Sequence, residues 1–238
     1  MKIDQYKVAW DSKKILRYLY KDFYNSLDKR CKKGKTLEIG AGIGNLSLEQ
    51  NVIYKIDIQY SRGISIVADA HALPFADNSF ENIVMVDVLH HLECPINFLK
   101  EAKRVLKDEG RLIMIEPKIS FVSWIFYNFF HQEDVDMGWK PDFNCFPNID
   151  KNPYESNQAI PTILFEKYLN LIISLGFKVK ENSPISYLAY PLSGGFKSWS
   201  LINIRFAKLF LKFEKKLPKF LGKIASFRMI ATLEVDKN

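Results

Sequence analysis

Glu38-Ile39-Gly40-Ala41-Gly42-Ile43-Gly44 closes a short apolar run that begins at Thr36. Glycines directly after a buried strand permit a tight turn and let a ligand approach the backbone. Outward from this junction, strand-like and helix-like patterns alternate in the order of a βαβ sheet. Val52 to Ile56, Ile64 to Val67 and Ile83 to Val86 are apolar and β-branched enough to be buried parallel strands. Pro95 to Leu106 carries Phe98, Leu99, Ala102, Val105 and Leu106 at helical spacing; Gly110 closes it, and Arg111 to Ile115 is a fifth strand. Phe177 to Lys180 follows the helix Leu164 to Leu175 as a sixth strand, and Phe227 to Val235 is the last. Before the glycines, Val8, Ile15, Leu16, Leu19, Phe23 and Leu27 fall near one helical face. The pattern predicts a single α/β domain over 1–238, with N-terminal helices (1–34), a ligand-binding core (35–117) and two long insertions, 118–160 and 182–226, roofing the carboxyl edge of the sheet.

The chain has 238 residues, 47% of them hydrophobic, enough for a substantial core. Met1 to Trp10 lacks the apolar run of a signal peptide, and the longest uncharged apolar stretch, Ile119 to Phe130, is shorter than the roughly 18 residues a span requires. A cytoplasmic protein is expected. Cys31, Cys94 and Cys145 are odd in number, far apart and without a Cys-x-x-Cys pair, which predicts reduced structural thiols. The net charge of +7 is uneven: Lys197 to Asn238 holds ten basic residues against three acids, leaving 24 of each sign elsewhere. The excess therefore belongs to one segment.

The glycines alone would equally suit a nicotinamide or flavin site. The acid before them favours a methyltransferase, because Glu38 can order the loop and receive the ammonium end of a bound methionine. Asp57, followed by Ile58, comes 13 residues after Gly44, where its carboxylate can accept both ribose hydroxyls. That spacing allows a helix of only about two turns after the glycines. Asp69 and Ala70 follow the third strand, where an acid and a backbone amide can recognise adenine. One acid at a strand end is commonly a helix cap or a solvated loop residue; three at successive strand ends form a pattern.

The stretch Lys35 to Pro117 resembles the class I methyltransferases related to ubiquinone and menaquinone biosynthesis enzymes. Its markers are Glu38 to Gly44, Asp69-Ala70 with Leu73-Pro74-Phe75 and Phe80, Leu89-His90-His91-Leu92, and Arg104-Val105-Leu106-Lys107 before Gly110. Asp108-Glu109-Gly110 stands where that family has Pro-Gly-Gly, and the second βα unit is clipped. The resemblance implies a Rossmann-like, seven-stranded, mostly parallel sheet with helices on both faces and an antiparallel last strand, and S-adenosylmethionine as cofactor, held by Glu38, Gly40, Ala41, Gly42, Gly44, Asp57, Ile58, Asp69 and Ala70.

Methyl transfer needs an aligned acceptor and, for a hydroxyl, a base. Asp87, His90 and His91 follow the fourth strand at the ligand-binding edge; a histidine there can take the proton while the acid orients its ring, the plain alternative being a helix cap and a packing residue. His131 with Glu133, Asp134 and Asp136 reads as a solvated lid loop and not a metal site, and His71 as a surface residue. The first insertion is dense in aromatics, including Phe121, Trp124, Phe126, Tyr127 and Phe129, suiting either a lid core or an apolar acceptor pocket. The second holds Tyr190 to Phe196, a glycine-containing turn, then a basic amphipathic helix in which Ile202, Phe206, Leu209, Phe210, Phe213 and Leu217 line one face. That segment, 201–225, either contacts an anionic membrane surface or caps the pocket. The expected acceptor is a small hydroxylated molecule, a sugar or a lipid-linked intermediate, with a quinone-type carbon acceptor as the rival. A nucleic-acid methyltransferase lacks its Asn-Pro-Pro-Tyr marker here, and a non-catalytic cofactor-binding partner protein is the alternative of another class.

Overall fold

Two helices, α1 (Lys2–Ser12) and α2 (Lys14–Asp28), open the chain and lead into β1 (Gly34–Ile39). The computed structural model describes residues 2–49, 51–130, 134–148 and 152–236. There follow β2 (Asn51–Asp57), β3 (Ile66–Val67), β4 (Phe80–Val86), α3 (Pro95–Val105), β5 (Leu106–Pro117), α4 (Phe121–Phe130), α5 (Ile160–Glu166), α6 (Leu169–Ser174), β6 (Phe177–Ile185), α7 (Ala189–Ser193), α8 (Ile204–Glu214), α9 (Gly222–Ala225) and β7 (Arg228–Val235). Seven strands form one sheet in the order β3-β2-β1-β4-β5-β7-β6. The first five pair in parallel, and β7 runs antiparallel between β5 and β6.

Strand alternation explains the two-sided core. In β4, β5 and β7, Ile83, Met85, Leu112, Met114, Met229 and Leu233 join the cluster that α3 fills with Phe98, Leu99, Ala102 and Val105. Their neighbours Val84, Ile113, Ile115 and Ile230 join Leu16, Tyr20, Phe23 and Leu27 of α2 on the other face. Chain order reverses between β1 and β4, so the ends of β1, β2, β3 and β4 open into the crevice where such sheets bind ligands.

Several expectations are corrected. Residues 41–48 form turns and extended chain, with no helix after the glycines. Six residues separate Gly44 from β2, and the Lys55 ammonium binds the carbonyls of Gly44 and Leu46 that a helix would have used. The third strand is a two-residue edge with Ile66 and Val67 exposed, because nothing follows on its outer side. The expected helix Leu164–Leu175 is two short helices, and β6 runs five residues further than anticipated, to Ile185. The fifth strand starts at Leu106 and not Arg111, so Gly110 lies within it and does not close α3; Glu109, at the irregularity of β5, takes φ of 57° where the resembled family has glycine.

The cysteines are not all thiols. Cys94, before α3, and Cys145, in the first insertion, form a disulfide with Cα atoms 5.6 Å apart, leaving Cys31 free. Their separation of 51 residues hid the contact. Disulfides persist in oxidising compartments, and inside cells mainly in hyperthermophiles, so this bond removes the thiol-based support for a cytoplasmic protein. Among the described residues no helix is long and apolar enough to cross a membrane.

Candidate active site

The glycine turn is tied down from β2 and from the segment beyond it. The Ala41 amide donates to Ile56 O at 2.9 Å and the Gly44 amide to Ala41 O at 2.8 Å. Ser61 Oγ donates to Gly42 O at 2.6 Å. Asp57 accepts from the amides of Gly42 and Gln59, both at 2.8 Å and one to each carboxylate oxygen. Two amides thus orient the carboxylate, which keeps further lone pairs for a ligand. Gly42 and Gly44 both have left-handed backbone, at φ of 55° and 75°. A Cβ on Gly44 would stand 2.4 Å from the Gly63 carbonyl oxygen, whereas one on Gly42 would enter open space. Gly44 therefore lets the turn pack on Gly63, and Gly42 faces the cavity.

Glu38 is buried at the end of β1, and its Oε2 makes no hydrogen bond. Burial pushes its carboxyl up to about 8, with Lys55 opposing and Asp57 adding to the rise. Asp69 Oδ1 accepts from the His71 amide at 2.9 Å and pairs with His71 Nδ1 at 2.7 Å. His71 Nε2 in turn accepts the Cys94 amide at 3.3 Å, which assigns the proton to Nδ1. His71, expected at the surface, is a largely buried strut that holds Asp69 against the start of α3.

Beyond β4 the expected trio divides. Asp87, at φ of 58°, pairs with Arg228 at the start of β7 and lies 3.4 Å from the Tyr20 hydroxyl. Burial acts to raise its carboxyl, but Arg228, aided by His90 and His91, holds it below the usual value. The Arg228 guanidinium also lies 4.0 Å over the Tyr190 ring. Asp87 therefore does not orient a histidine. Glu116, at the end of β5 and fully buried, does. Its Oε1 accepts the amides of Val88 and Leu89 at 2.9 and 2.8 Å, and its Oε2 lies 2.7 Å from His90 Nδ1. Sequence reasoning passed over Glu116, although it is an acid at a strand end like Asp57 and Asp69. The His91 ring stacks on His90 with centroids 4.2 Å apart, and its Nδ1 lies 3.4 Å from Glu155 O.

One cavity of about 2050 Å³ brings together Glu38, Gly40, Ala41, Gly42, Asp57, Ile58, Asp69, Ala70, Asp87, His90 and His91. Of the predicted residues Gly44 alone does not line it. Single small-molecule pockets span about 300–1,000 Å³, so there is room for a cofactor and an acceptor together. The opposite wall is aromatic: Tyr6, Trp10, Tyr20 and Tyr24 from the N-terminal helices, Phe126, Tyr127 and Tyr154 from the first insertion, Tyr190 and Phe196 from the second. The N-terminal contribution was not anticipated. Both insertions are fastened mostly by side chains. The Tyr154 hydroxyl donates to Gln59 Oε1 at 2.6 Å, the Asn157 backbone amide to His90 O at 2.9 Å, and Lys13 Nζ to the carbonyls of Ser193, Gly195, Lys197 and Trp199 at 2.7–2.9 Å. His131 and Glu133 lie outside the described residues; Asp134 bridges to Asn157, and Asp136 Oδ1 accepts the Gly138 amide. No group of three metal-ligating side chains occurs among the described residues.

Residues 37–114 match the family described as "Methyltransferase domain". A methyltransferase domain of this kind thus occupies about a third of the chain. Among curated proteins, MJ1123 of Methanocaldococcus jannaschii, itself uncharacterised, is 34% identical over 119 residues, covering 47% of this chain and 57% of that one. The demethylmenaquinone methyltransferase of Thermotoga maritima is 43% identical over 54 residues, covering 23% of this chain and 24% of the enzyme. The chain thus spans little more than half of the first of these relatives and about a quarter of the second. Among solved structures, PH0226 of Pyrococcus horikoshii superposes with a TM-score of 0.52 at 15% identity, covering 94% of each chain. The [4+2]-cyclase SpnF gives 0.52 at 17% identity, covering 91% of this chain and 81% of its own. A cyclase on the same architecture shows that the fold by itself does not name the reaction.

S-adenosylmethionine is the cofactor of this methyltransferase family, and the residues present fit it. The unpartnered Glu38 Oε2 suits an ammonium, and the open space beside Gly42 admits a ligand against the backbone. Asp57, aligned by two amides, lines the cavity with lone pairs left that suit the hydroxyls of a ribose.

Proposed function

We propose that this methyltransferase transfers the methyl group of S-adenosylmethionine to a hydroxyl of a small acceptor, a sugar or a lipid-linked intermediate, with His90 as the base. The observation that carries the proposal is the buried Glu116–His90 pair, 2.7 Å apart, whose histidine lines the cavity. S-adenosylmethionine supplies a methyl group on a sulfonium, so the protein has only to align the acceptor and take its proton. A carboxylate solely accepts hydrogen bonds, which puts the His90 proton on Nδ1 and makes Nε2 the basic nitrogen. An acceptor hydroxyl held at Nε2 would give up its proton there, while S-adenosylmethionine, held by Glu38, Asp57 and Asp69, would supply the methyl electrophile. Glu116 then faces the charged imidazolium it has oriented, and its two backbone donors keep it in place. The aromatic wall would hold the apolar faces of the acceptor.

A quinone-type carbon acceptor is the second reading. It is favoured by the demethylmenaquinone methyltransferase named above and by Tyr20, Tyr190 and Phe196, whose rings meet at 5.4–6.3 Å beside Asp87.

The test has two stages. Calorimetry with S-adenosylmethionine and its demethylated product comes first; absence of binding to folded protein overturns the proposal. Nucleotide sugars, lipid-linked sugars and quinols are then screened for release of demethylated cofactor. With the acceptor found, His90→Ala and Glu116→Gln should lower kcat by about 10²–10⁴-fold while cofactor affinity holds. Unchanged turnover in both variants would remove the base.

A further inference from the structure

We propose that the protein docks on an anionic lipid bilayer through α8, the single turn Lys219–Leu221, α9 and the outer face of α4. The sequence left open whether the apolar side of α8 caps the pocket or meets a membrane. α8 packs inward through Ala207, Leu211 and Glu214, against Ile15 and Leu19 of α2 and Ala189 of α7. Phe206, Leu209 and Phe213 remain 52–58% exposed. At 100° per residue that stripe stands roughly 130° around the helix from the buried one. Between the two lie Lys208, Lys212 and Lys215. An exposed apolar stripe flanked by lysines is the arrangement of a helix lying in a lipid interface.

Charge decides which partner fits. From Lys197 to Ala225 there are eight basic residues and one acid, and that acid, Glu214, is buried on the amides of Leu188 and Ala189. Apart from Lys215, which pairs with Asp22 of α2, the charges that the segment presents outward are cationic, so two copies would repel across it. A nucleic acid would use the lysines and leave Phe206, Leu209 and Phe213 in water; a bilayer takes both. The apolar surface also continues sideways. α9 packs against α4, where Phe126 meets Phe227 at 5.3 Å. Phe220 and Ile224 are exposed beside the uncharged α4, whose Phe121 and Phe129 are exposed as well. Of these elements α4 walls the cavity through Phe126 and Tyr127, and Leu201 does so just before α8, so docking would bring the site to the lipid surface. The docking itself does not depend on which acceptor is methylated.

The experiment is co-sedimentation with vesicles of phosphatidylcholine alone and of phosphatidylcholine mixed with phosphatidylglycerol. Binding should appear with phosphatidylglycerol and weaken with salt. Lys212→Glu with Lys216→Glu should reduce partitioning on the order of 25-fold or more, at about five-fold for each lysine lost. Phe206→Ser with Phe213→Ser should also reduce it while every charge remains. S-adenosylmethionine affinity, measured in both variants, should be unchanged, which separates lost docking from misfolding and from failure of the cofactor reading. Equal binding to both vesicle types, no binding to either, or a phenylalanine variant that binds as wild type would overturn the proposal. So would preference for single-stranded RNA over the anionic vesicles, or a dimer that the phenylalanine variant dissociates.

Discussion

The carboxyl edge of the sheet and the two insertions that roof it are held by different means. At the edge, Asp57 and Glu116 each take two backbone amides, and Lys55 and Ser61 take carbonyls of the glycine turn. These are short-range bonds made by a strand to the loop beside it. The roof is fastened mostly by single side chains reaching across long separations: Cys145 to Cys94, Tyr154 to Gln59, and Lys13 to four carbonyls of the second insertion, with one backbone bond from Asn157 to His90. An edge stitched through its backbone presents a preformed site. A roof stitched at a few points can lose one fastening and leave that site intact.

The disulfide offers the largest effect with which to break this contrast. It closes a loop across 51 residues, for which loop-closure entropy gives about 4 kcal/mol. Reduction, or Cys145→Ser, should lower the melting temperature markedly while S-adenosylmethionine affinity stays nearly constant. A parallel collapse of affinity, read by calorimetry under reductant, would show that the roof holds the cofactor site together. Next in size is Asp57→Ala. It removes a charged acceptor for two ribose hydroxyls, worth about 3 kcal/mol together, so Kd should rise about 100-fold. The amides of Gly42 and Gln59 lose their shared partner at the same time. A Kd within a few-fold of wild type would mean that the ribose is met elsewhere.

The same contrast explains what could be read from the sequence. The strand order, the antiparallel β7 and the acids Glu38, Asp57 and Asp69 follow from local pattern, because each acid stands next to the strand that positions it. Glu116 obeys the same rule yet was overlooked, since its partner His90 comes from another strand end. Asp87 was read as the orienting acid from its nearness in sequence, whereas Arg228, 141 residues away, claims it. The disulfide, the strut at His71 and the aromatic wall from α1 and α2 likewise depend on contacts between distant segments. The missing helix after the glycines was legible in principle, from the six residues left before β2.

Glu38 sharpens the comparison through pH. Its carboxyl is raised in the folded protein from 4.5 to about 8, chiefly by burial. Folding is then favoured with the proton on; that contribution is full below 4.5 and lost as pH climbs through about 8. Without ligand, wild type should lose melting temperature relative to Glu38→Gln across this window. Cofactor binding runs the opposite way, because an ammonium needs the carboxylate. Kd should rise about five-fold from pH 8 to pH 7 in wild type. Flat pH profiles for both quantities would take Glu38 out of the cofactor site.

The smallest effect is expected at Gly42, and it asks whether the turn serves only its own packing. Alanine in left-handed backbone costs about 1–2 kcal/mol. The added Cβ meets no atom within 4 Å, so the variant should fold with its melting temperature lowered by a few degrees. The methyl group nevertheless projects into the cavity that the cofactor would fill. S-adenosylmethionine affinity in Gly42→Ala should therefore fall by more than the small loss of stability explains. If affinity were unchanged, Gly42 would share the purely structural role of Gly44, and recognition at this edge would rest on the three acids without close approach to the backbone.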